Sequence, residues 1–250
     1  MKRIAIAGAT GAVGRHVVQA TRDAGHEPIA ISRATGVDLT RPDDLAGILE
    51  GCDAVIDVSS TQTLSTKVAV EFFGTVTENL LDAERRAGVP HHIALSIVGA
   101  AKADSGYYAG KAVQEQLVFD SGTGWSVLRA TQFHEFAAQT VGRGAVLGVY
   151  LAPRMLCRPV AATEVATALV GIAAGGPQGL VPDLGGPRIE RMADLVRRYL
   201  RATGTQGRVL EVKLPGSMGR VLADGSLIPG PAAVLGRQTF DEWLESLTPR

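Results

Sequence analysis

The sequence predicts an α/β fold, a doubly wound parallel sheet with a small C-terminal α/β substrate-binding region. Residues 1–250 form one domain in this reading, and residues from about 132 to 250 contribute the smaller part. Three observations predict it. An alternating apolar run from Arg3 to Ala7 breaks into three evenly spaced glycines, Gly8, Gly11 and Gly14. A helical pattern follows at once, with Val13, Val17, Ala20 and Ala24 on one face. Strand-like and helix-like stretches then alternate as far as Arg129, the rhythm of parallel strands joined by right-handed crossovers.

The opening strand, glycine turn and helix make a phosphate-binding start. Gly8 permits a tight turn out of the strand, and Gly11 lets backbone approach a pyrophosphate. Gly14 lets the helix pack closely, while unpaired amides of its first turn face the anion. Gly8, Thr10, Gly11, Ala12, Val13 and Gly14 are therefore candidate cofactor contacts. The spacing is G-x-x-G-x-x-G rather than the G-x-G-x-x-G of ordinary dehydrogenases.

Glu27 to Ser32 reads as the second strand, and its exit bears on the choice of cofactor. An NAD-preferring site places a carboxylate there for the ribose 2′-hydroxyl. This chain places Ser32 and Arg33 there and has no acid until Asp38. A guanidinium pairs bidentately with a 2′-phosphate. Position favours that role over a solvated surface arginine, and so favours NADP. Val37 to Leu39 is short enough for a third strand, where Asp38, beside Leu39, either meets an adenine edge or caps a turn. A helix is expected from Pro42 to about Gly51, with Asp43 and Asp44 in its first turn. Asp53 to Ser60 is the fourth strand, and its polar exit puts Ser59 and Ser60 in the cofactor crevice.

Leu64 to Ala87 is a long helix stopped by Gly88-Val89-Pro90, and His91 to Ser96 is the fifth strand. Tyr107 to Lys111 opens a helix reaching Phe119, and Trp125 to Arg129 is the sixth strand. Beyond it, helices are expected around Val165 to Ala173, Met192 to Leu200 and Phe240 to Leu247. Strands are expected at Leu180 to Leu184 and Val209 to Leu214. Segments 142–159 and 214–237 are where a substrate lid would lie, and His134 and Tyr150 fall among the irregular segments expected to build the pocket.

Composition excludes several classes. The chain carries 25 acidic and 25 basic residues, so no basic excess points to nucleic acid or a membrane surface. No apolar stretch of about eighteen residues spans a bilayer, and the N-terminus runs straight into a strand with no visible signal peptide. Two cysteines, Cys52 and Cys157, make no disulfide framework and suit a cytoplasmic protein. The five histidines lack ligand spacing, so no metal is expected.

Tyr107 and Lys111, four apart, share a helix face. A phenol is a poor acid or base near neutrality unless its pKa falls, and a neighbouring ammonium lowers it. Lys111 can equally hold the nicotinamide ribose. Ser96, eleven residues before Tyr107 at a strand exit, can donate to a developing oxyanion. Together they would protonate a carbonyl oxygen while a reduced nicotinamide delivers hydride to its carbon. The other reading is that Lys111 only anchors cofactor and Tyr107 packs.

These residues resemble the atypical, NmrA-like short-chain dehydrogenase/reductases, which have a Rossmann sheet. Residues 8–14 carry the resemblance, with Gly51-Cys52-Asp53-Ala54-Val55-Ile56-Asp57, the helix run Gly74 to Val89 and Ser96-Ile97-Val98-Gly99. So do Tyr107-Tyr108-Ala109-Gly110-Lys111 and Leu128 to Phe133. The resemblance implies that Ser96, Tyr107 and Lys111 take the catalytic places and Arg33 the 2′-phosphate place. Thr131 and Phe133 would border the nicotinamide. Two departures concern proton delivery: Glu71 replaces the family's long-helix asparagine, and the Ser96–Tyr107 spacing is short. The expected function is an NADP-dependent oxidoreductase that takes hydride from NADPH to a carbonyl or quinone-like small molecule. Two alternatives stay open. Many NmrA-like proteins lack the tyrosine and act as NADP-sensing regulators of a partner protein, whereas this chain keeps Tyr107. A nucleotide-sugar epimerase or dehydratase uses the same pair but normally has a larger C-terminal domain.

Overall fold

The computed structural model describes residues 1–247. In chain order the elements are β1 (Arg3–Ala7), α1 (Gly14–Asp23), β2 (Glu27–Ile31), α2 (Leu45–Leu49), β3 (Ala54–Asp57), α3 (Thr66–Ala87), β4 (His92–Ile97), α4 (Gly106–Phe119) and β5 (Trp125–Ala130). There follow α5 (Glu135–Gly142), β6 (Val149–Pro153), β7 (Leu156–Cys157), α6 (Ala162–Gly175), β8 (Gly179–Leu180), β9 (Leu184–Gly185) and β10 (Glu190–Arg191). The last are α7 (Met192–Ala202), β11 (Arg208–Val212), α8 (Gly216–Ala223), β12 (Val234–Leu235) and α9 (Phe240–Leu247). No helix among the described residues is long and apolar enough to cross a membrane.

Two compact units form. The first comprises residues 1–101, 105–129 and 162–181. Its strands lie in the order β2-β1-β3-β4-β5, with β8 beside β5. β1 pairs in parallel with β2 and β3, and β3 with β4. Both faces are covered, as a parallel sheet requires. Ala5, Ala7 and Val55 meet Leu45, Leu49, Val76 and Leu80 of α2 and α3. Ile4, Ile6 and Ile56, fully buried, alternate to the other face, where α1 and α6 pack. This is a Rossmann-like doubly wound sheet. Because β1 lies between β2 and β3, the winding reverses at β1, and ligands of such sheets bind at that point.

The second unit comprises residues 102–104, 130–161 and 182–250, of which 248–250 lie outside the described residues. β6 pairs in parallel with β11, β9 with β12, and β7 runs antiparallel to β10. α7 packs on α5, β6, β11 and α9. His134, Phe240, Trp243 and Tyr199 form a run of touching rings there.

Four expectations need correction. Val37 to Leu39 is no strand: the Val37 amide bonds back to the Ser32 carbonyl, and Gly36 turns left-handed at φ 87°. The helix expected from Pro42 begins only at Leu45, because the Asp44 side chain takes the Gly47 amide and caps it there. Leu180 to Leu184 splits into β8 and β9 around Pro182, which has no amide to give a ladder. α5 was not expected, although Phe136, Ala137 and Thr140 already show helical spacing.

α3 and β4 bury a charged pair. His92 Nδ1 lies 2.8 Å from Glu84 Oε1, both side chains shut off from solvent. Burial by itself pushes the imidazolium pKa down. The Glu84 carboxylate, its hydrogen bond and Asp57 push harder upward, and the net shift is up. The pair's stabilisation is therefore complete below about pH 6.5, the unfolded imidazole value, and is lost as pH rises through the higher folded-state value. His92→Ala leaves Glu84 buried alone, at an expected cost of about 3–5 kcal/mol. Denaturant unfolding from about pH 5 to 9 checks both expectations, with the wild type losing stability relative to Glu84→Gln as pH rises. Parallel curves for the two proteins would show that the pair does not titrate.

Candidate functional site

Three strand exits meet at the winding reversal. Gly8, at φ 83°, turns out of β1 and donates its amide to the Ile31 carbonyl at 2.9 Å, tying the turn to the end of β2. A Cβ on Gly8 would sit 2.8 Å from the Ser59 Cα and amide nitrogen, so only glycine lets β1 lie this close to the exit of β3. Gly11 donates back to the Gly8 carbonyl at 2.9 Å. Among the described residues, the amides of Thr10, Ala12 and Val13 have no protein acceptor. With the positive end of α1 behind them they suit an anion, so this turn fits a nucleotide pyrophosphate.

Arg33 is exposed, two residues beyond the carbonyl that holds the glycine turn. Ser32 is occupied locally, accepting from the Thr35 amide in a capping box. The Asp38 carboxylate accepts from the Thr40 amide at 2.9 Å and its hydroxyl at 2.7 Å, which holds the Asp38 pKa down, with Arg33 and Arg41 adding to the effect. Asp38 thus caps a turn. Leu39 is buried, its carbonyl taken by the Asn79 side chain at 2.9 Å. Beside this loop opens a cavity of about 470 Å³ lined by Thr40, Arg41, Val68, Glu71, Phe72 and Thr75.

Tyr107 and Lys111 stand one turn apart on α4. The Tyr107 hydroxyl is 3.1 Å from the Ser60 hydroxyl, and its ring meets Phe73 edge-on at 5.2 Å. Lys111 turns inward, only 2 % exposed. Its ammonium donates to the Leu95 carbonyl and to Gln114 Oε1, each at 2.8 Å, and sits 4.3 Å over the Phe73 ring. It lies 5.9 Å from the Tyr107 ring centre. The expected fall in the phenol pKa does not occur. Burial pushes it up to about 12 against the downward pull of the Ser60 hydrogen bond. Burial pushes Lys111 down to about 8, with Asp57 and Glu115 pulling upward.

Ser96, next to the Leu95 carbonyl that Lys111 holds, is fully buried. Its hydroxyl and that of Ser59 have no protein partner among the described residues. The hydroxyl bonded to the phenol is that of Ser60, which sequence reasoning placed only in the cofactor crevice. Its signal was its place at a strand exit beside the winding reversal. Glu71 lines the cavity, about 200° around α3 from the Phe73 that touches Tyr107.

In the second unit, the Thr131 hydroxyl donates to the Arg158 carbonyl, and Phe133 bridges to Val160. His134 is fully buried against Phe240 and Trp243, so it builds this unit's interior rather than a pocket wall.

The model of a protein family described as NAD(P)H-binding matches residues 8–173, from the glycine turn through α6. The chain belongs to that family. The match agrees with the NmrA-like, atypical short-chain dehydrogenase/reductase motifs of this NAD(P)H-binding protein. The Photosystem II assembly factor Ycf39 of Synechocystis sp. is 27% identical to it over 114 residues, 40% of this chain. The match spans about a third of that relative, 35% of its length. Among solved structures, the Escherichia coli NADPH-dependent quinone oxidoreductase QOR2, complexed with NADPH, superposes with TM-score 0.72 at 19% identity. That match covers 98% of this chain and 99% of the other. A nucleoside-diphosphate-sugar epimerase from Staphylococcus aureus gives TM-score 0.70 at 17% identity, covering 98% and 100%. At such identities the likeness is one of fold.

The turn itself is testable. A Cβ on Gly14 would run into the Gly8 carbonyl oxygen and the Ala9 backbone. Gly14→Ala should therefore cost about 1–3 kcal/mol and lower the Tm of this NAD(P)H-binding protein. An unchanged Tm would show that the turn can open without strain.

Proposed function

We propose that this NAD(P)H-binding protein is an NADP-dependent oxidoreductase that reduces a carbonyl or quinone-like small molecule. The single observation that carries the proposal is the Ser60–Tyr107 hydroxyl pair, with Lys111 one turn away. It lies in the unit whose glycine turn and β2 exit suit NADPH. Bound NADPH supplies the hydride. The backbone amides of Thr10, Ala12 and Val13 hold the pyrophosphate, with Gly8, Gly11 and Gly14 giving it access. Arg33 pairs with the 2′-phosphate from the turn that Ser32 and Asp38 cap. Ser59 and Ser60 line the crevice at the exit of β3.

A phenol pushed up to about 12 is fully protonated at neutral pH, so Tyr107 enters the reaction as an acid. Its Oη gives the proton to the substrate oxygen as the carbon accepts hydride, and Ser60 donates a hydrogen bond to the phenolate left behind. Lys111 stabilises that negative charge from within the core. Ser96, buried and with no protein partner for its hydroxyl, follows directly on the Leu95 carbonyl that holds Lys111. The resemblance to NADPH-dependent quinone oxidoreductase QOR2 supports a quinone-like acceptor, and the similarity to epimerases keeps a nucleotide sugar as the rival.

Titration with NADPH and NADH, then NADPH oxidation against ketones, quinones and UDP-sugars, tests the proposal. Tight NADPH binding with no oxidation by any of them would favour the NADP-sensing alternative. Arg33→Ala should weaken NADPH about 10- to 100-fold and leave NADH nearly unchanged, as loss of a charge-assisted phosphate contact requires. Equal weakening of both would remove Arg33 from the phosphate site. Tyr107→Phe should cut turnover about 10²- to 10⁴-fold with NADPH affinity retained. Full turnover in that variant would exclude the phenol as proton donor.

A further inference from the structure

Two fully buried polar side chains behind this site have no part in the chemistry above. Asp57 ends β3, and Gln114 lies three residues past Lys111 on α4; both are 0 % exposed. Their bonds run in one line. Lys111 Nζ donates to Gln114 Oε1 at 2.8 Å, Gln114 Nε2 donates to Asp57 Oδ2 at 2.7 Å, and the Ser59 amide donates to Asp57 Oδ1 at 2.8 Å. Donor chemistry sets the direction. An ammonium only donates, so the amide must turn its oxygen to Lys111 and its NH₂ to Asp57. Both Asp57 oxygens then accept, which is the pattern of an ionised carboxylate. An amide held between a cation and an anion is polarised by both, and each bond strengthens the next.

We infer that Asp57 positions Lys111 through Gln114, the carboxylate serving as buried counter-charge and the amide as the strut that aims the ammonium at the Leu95 carbonyl. The functional meaning rests on the reading of Lys111 as a site residue. Asp57 and Gln114 touch no reacting atom and are positioning residues. Asp57 of β3 and Glu115 of α4 are the charges that act on Lys111, Tyr107 stands one turn back on α4, and His92 of β4, paired with Glu84 of α3, also feels Asp57. Glu115 is engaged by the Arg129 guanidinium at 2.8 and 2.6 Å, and Glu84 by His92. Asp57 is the stronger of the two carboxylates that pull on Lys111, Glu115 being bound to Arg129. Its pull opposes the burial that takes the ammonium down to about 8.

The test is a pH titration by NMR of protein labelled at lysine Cε, in which Lys111→Met identifies one of five lysine signals. Asp57→Asn should lower the Lys111 midpoint by about one unit or more. Gln114→Met should also lower it, and Asp57→Asn should have a smaller effect in the Gln114→Met background. An unmoved Lys111 midpoint in Asp57→Asn overturns the inference. So does an equal Asp57→Asn shift with and without Gln114, since the carboxylate would then act without the amide. The wild type gives an independent reading should a variant not fold: the Gln114 side-chain amide should exchange slowly and titrate at the Lys111 midpoint. A fast-exchanging amide that ignores that midpoint overturns the inference alone. NADPH binding to Lys111→Met separately decides the role of the lysine in the site, since the titrations use no cofactor.

Discussion

The close approach of the Gly8 turn to its two neighbouring strand exits is the constraint on which the rest depends. Its amide is held by the Ile31 carbonyl, and its Cα lies where any side chain would strike the Ser59 backbone. β1 can lie between β2 and β3 with the chain reversing across it only because that contact is bare of side chains. The same contact brings Ser32 and Arg33 to one side of the turn and Ser59 and Ser60 to the other. Ser60 then reaches Tyr107, so a backbone contact among three strands sets the place of a phenol on α4.

Behind the site, the first unit buries charge where an aliphatic core would pack more simply. Glu84 meets His92, Glu115 meets Arg129 through two bonds, and Lys111, Gln114 and Asp57 form a line. Buried charges are costly to desolvate, and such pairs are weak sources of net stability. They discriminate between arrangements instead. Sliding α4 by one turn would break Glu115 from Arg129 and Gln114 from Asp57 at once, leaving uncompensated charge in a low dielectric. The helix carrying Tyr107 and Lys111 is thus held in one register by the buried bonds of Glu115 and Gln114.

Much of this was legible in the sequence because it depends on local chemistry. Glycines at positions 8, 11 and 14 after an alternating strand and before an amphipathic helix have few other uses. Gly88 after α3 and the four-residue step from Tyr107 to Lys111 could be read the same way. Errors arose where a side chain or a proline competed for backbone groups. Asp44 shortened a helix, the turn at Ser32 to Gly36 replaced a strand, and Pro182 divided another. His134 looked like a pocket residue because a lone histidine carries no sign of the aromatic rings that Phe240 and Trp243 bring to it across more than a hundred residues.

The sequence by itself determined the alternating α/β plan, the glycine turn between β1 and α1 and the two residues of the α4 pair. Each of these is a matter of residue type at short spacing, where helix and strand geometry leave little freedom. Only the tertiary structure decided which hydroxyl meets the phenol, that Lys111 turns inward to Leu95 and Gln114, and that burial raises the Tyr107 pKa and lowers that of Lys111. Those outcomes depend on desolvation and on partners far along the chain, Ser60 for Tyr107 and, through Gln114, Asp57 for Lys111. Spacing along the chain carries no record of either.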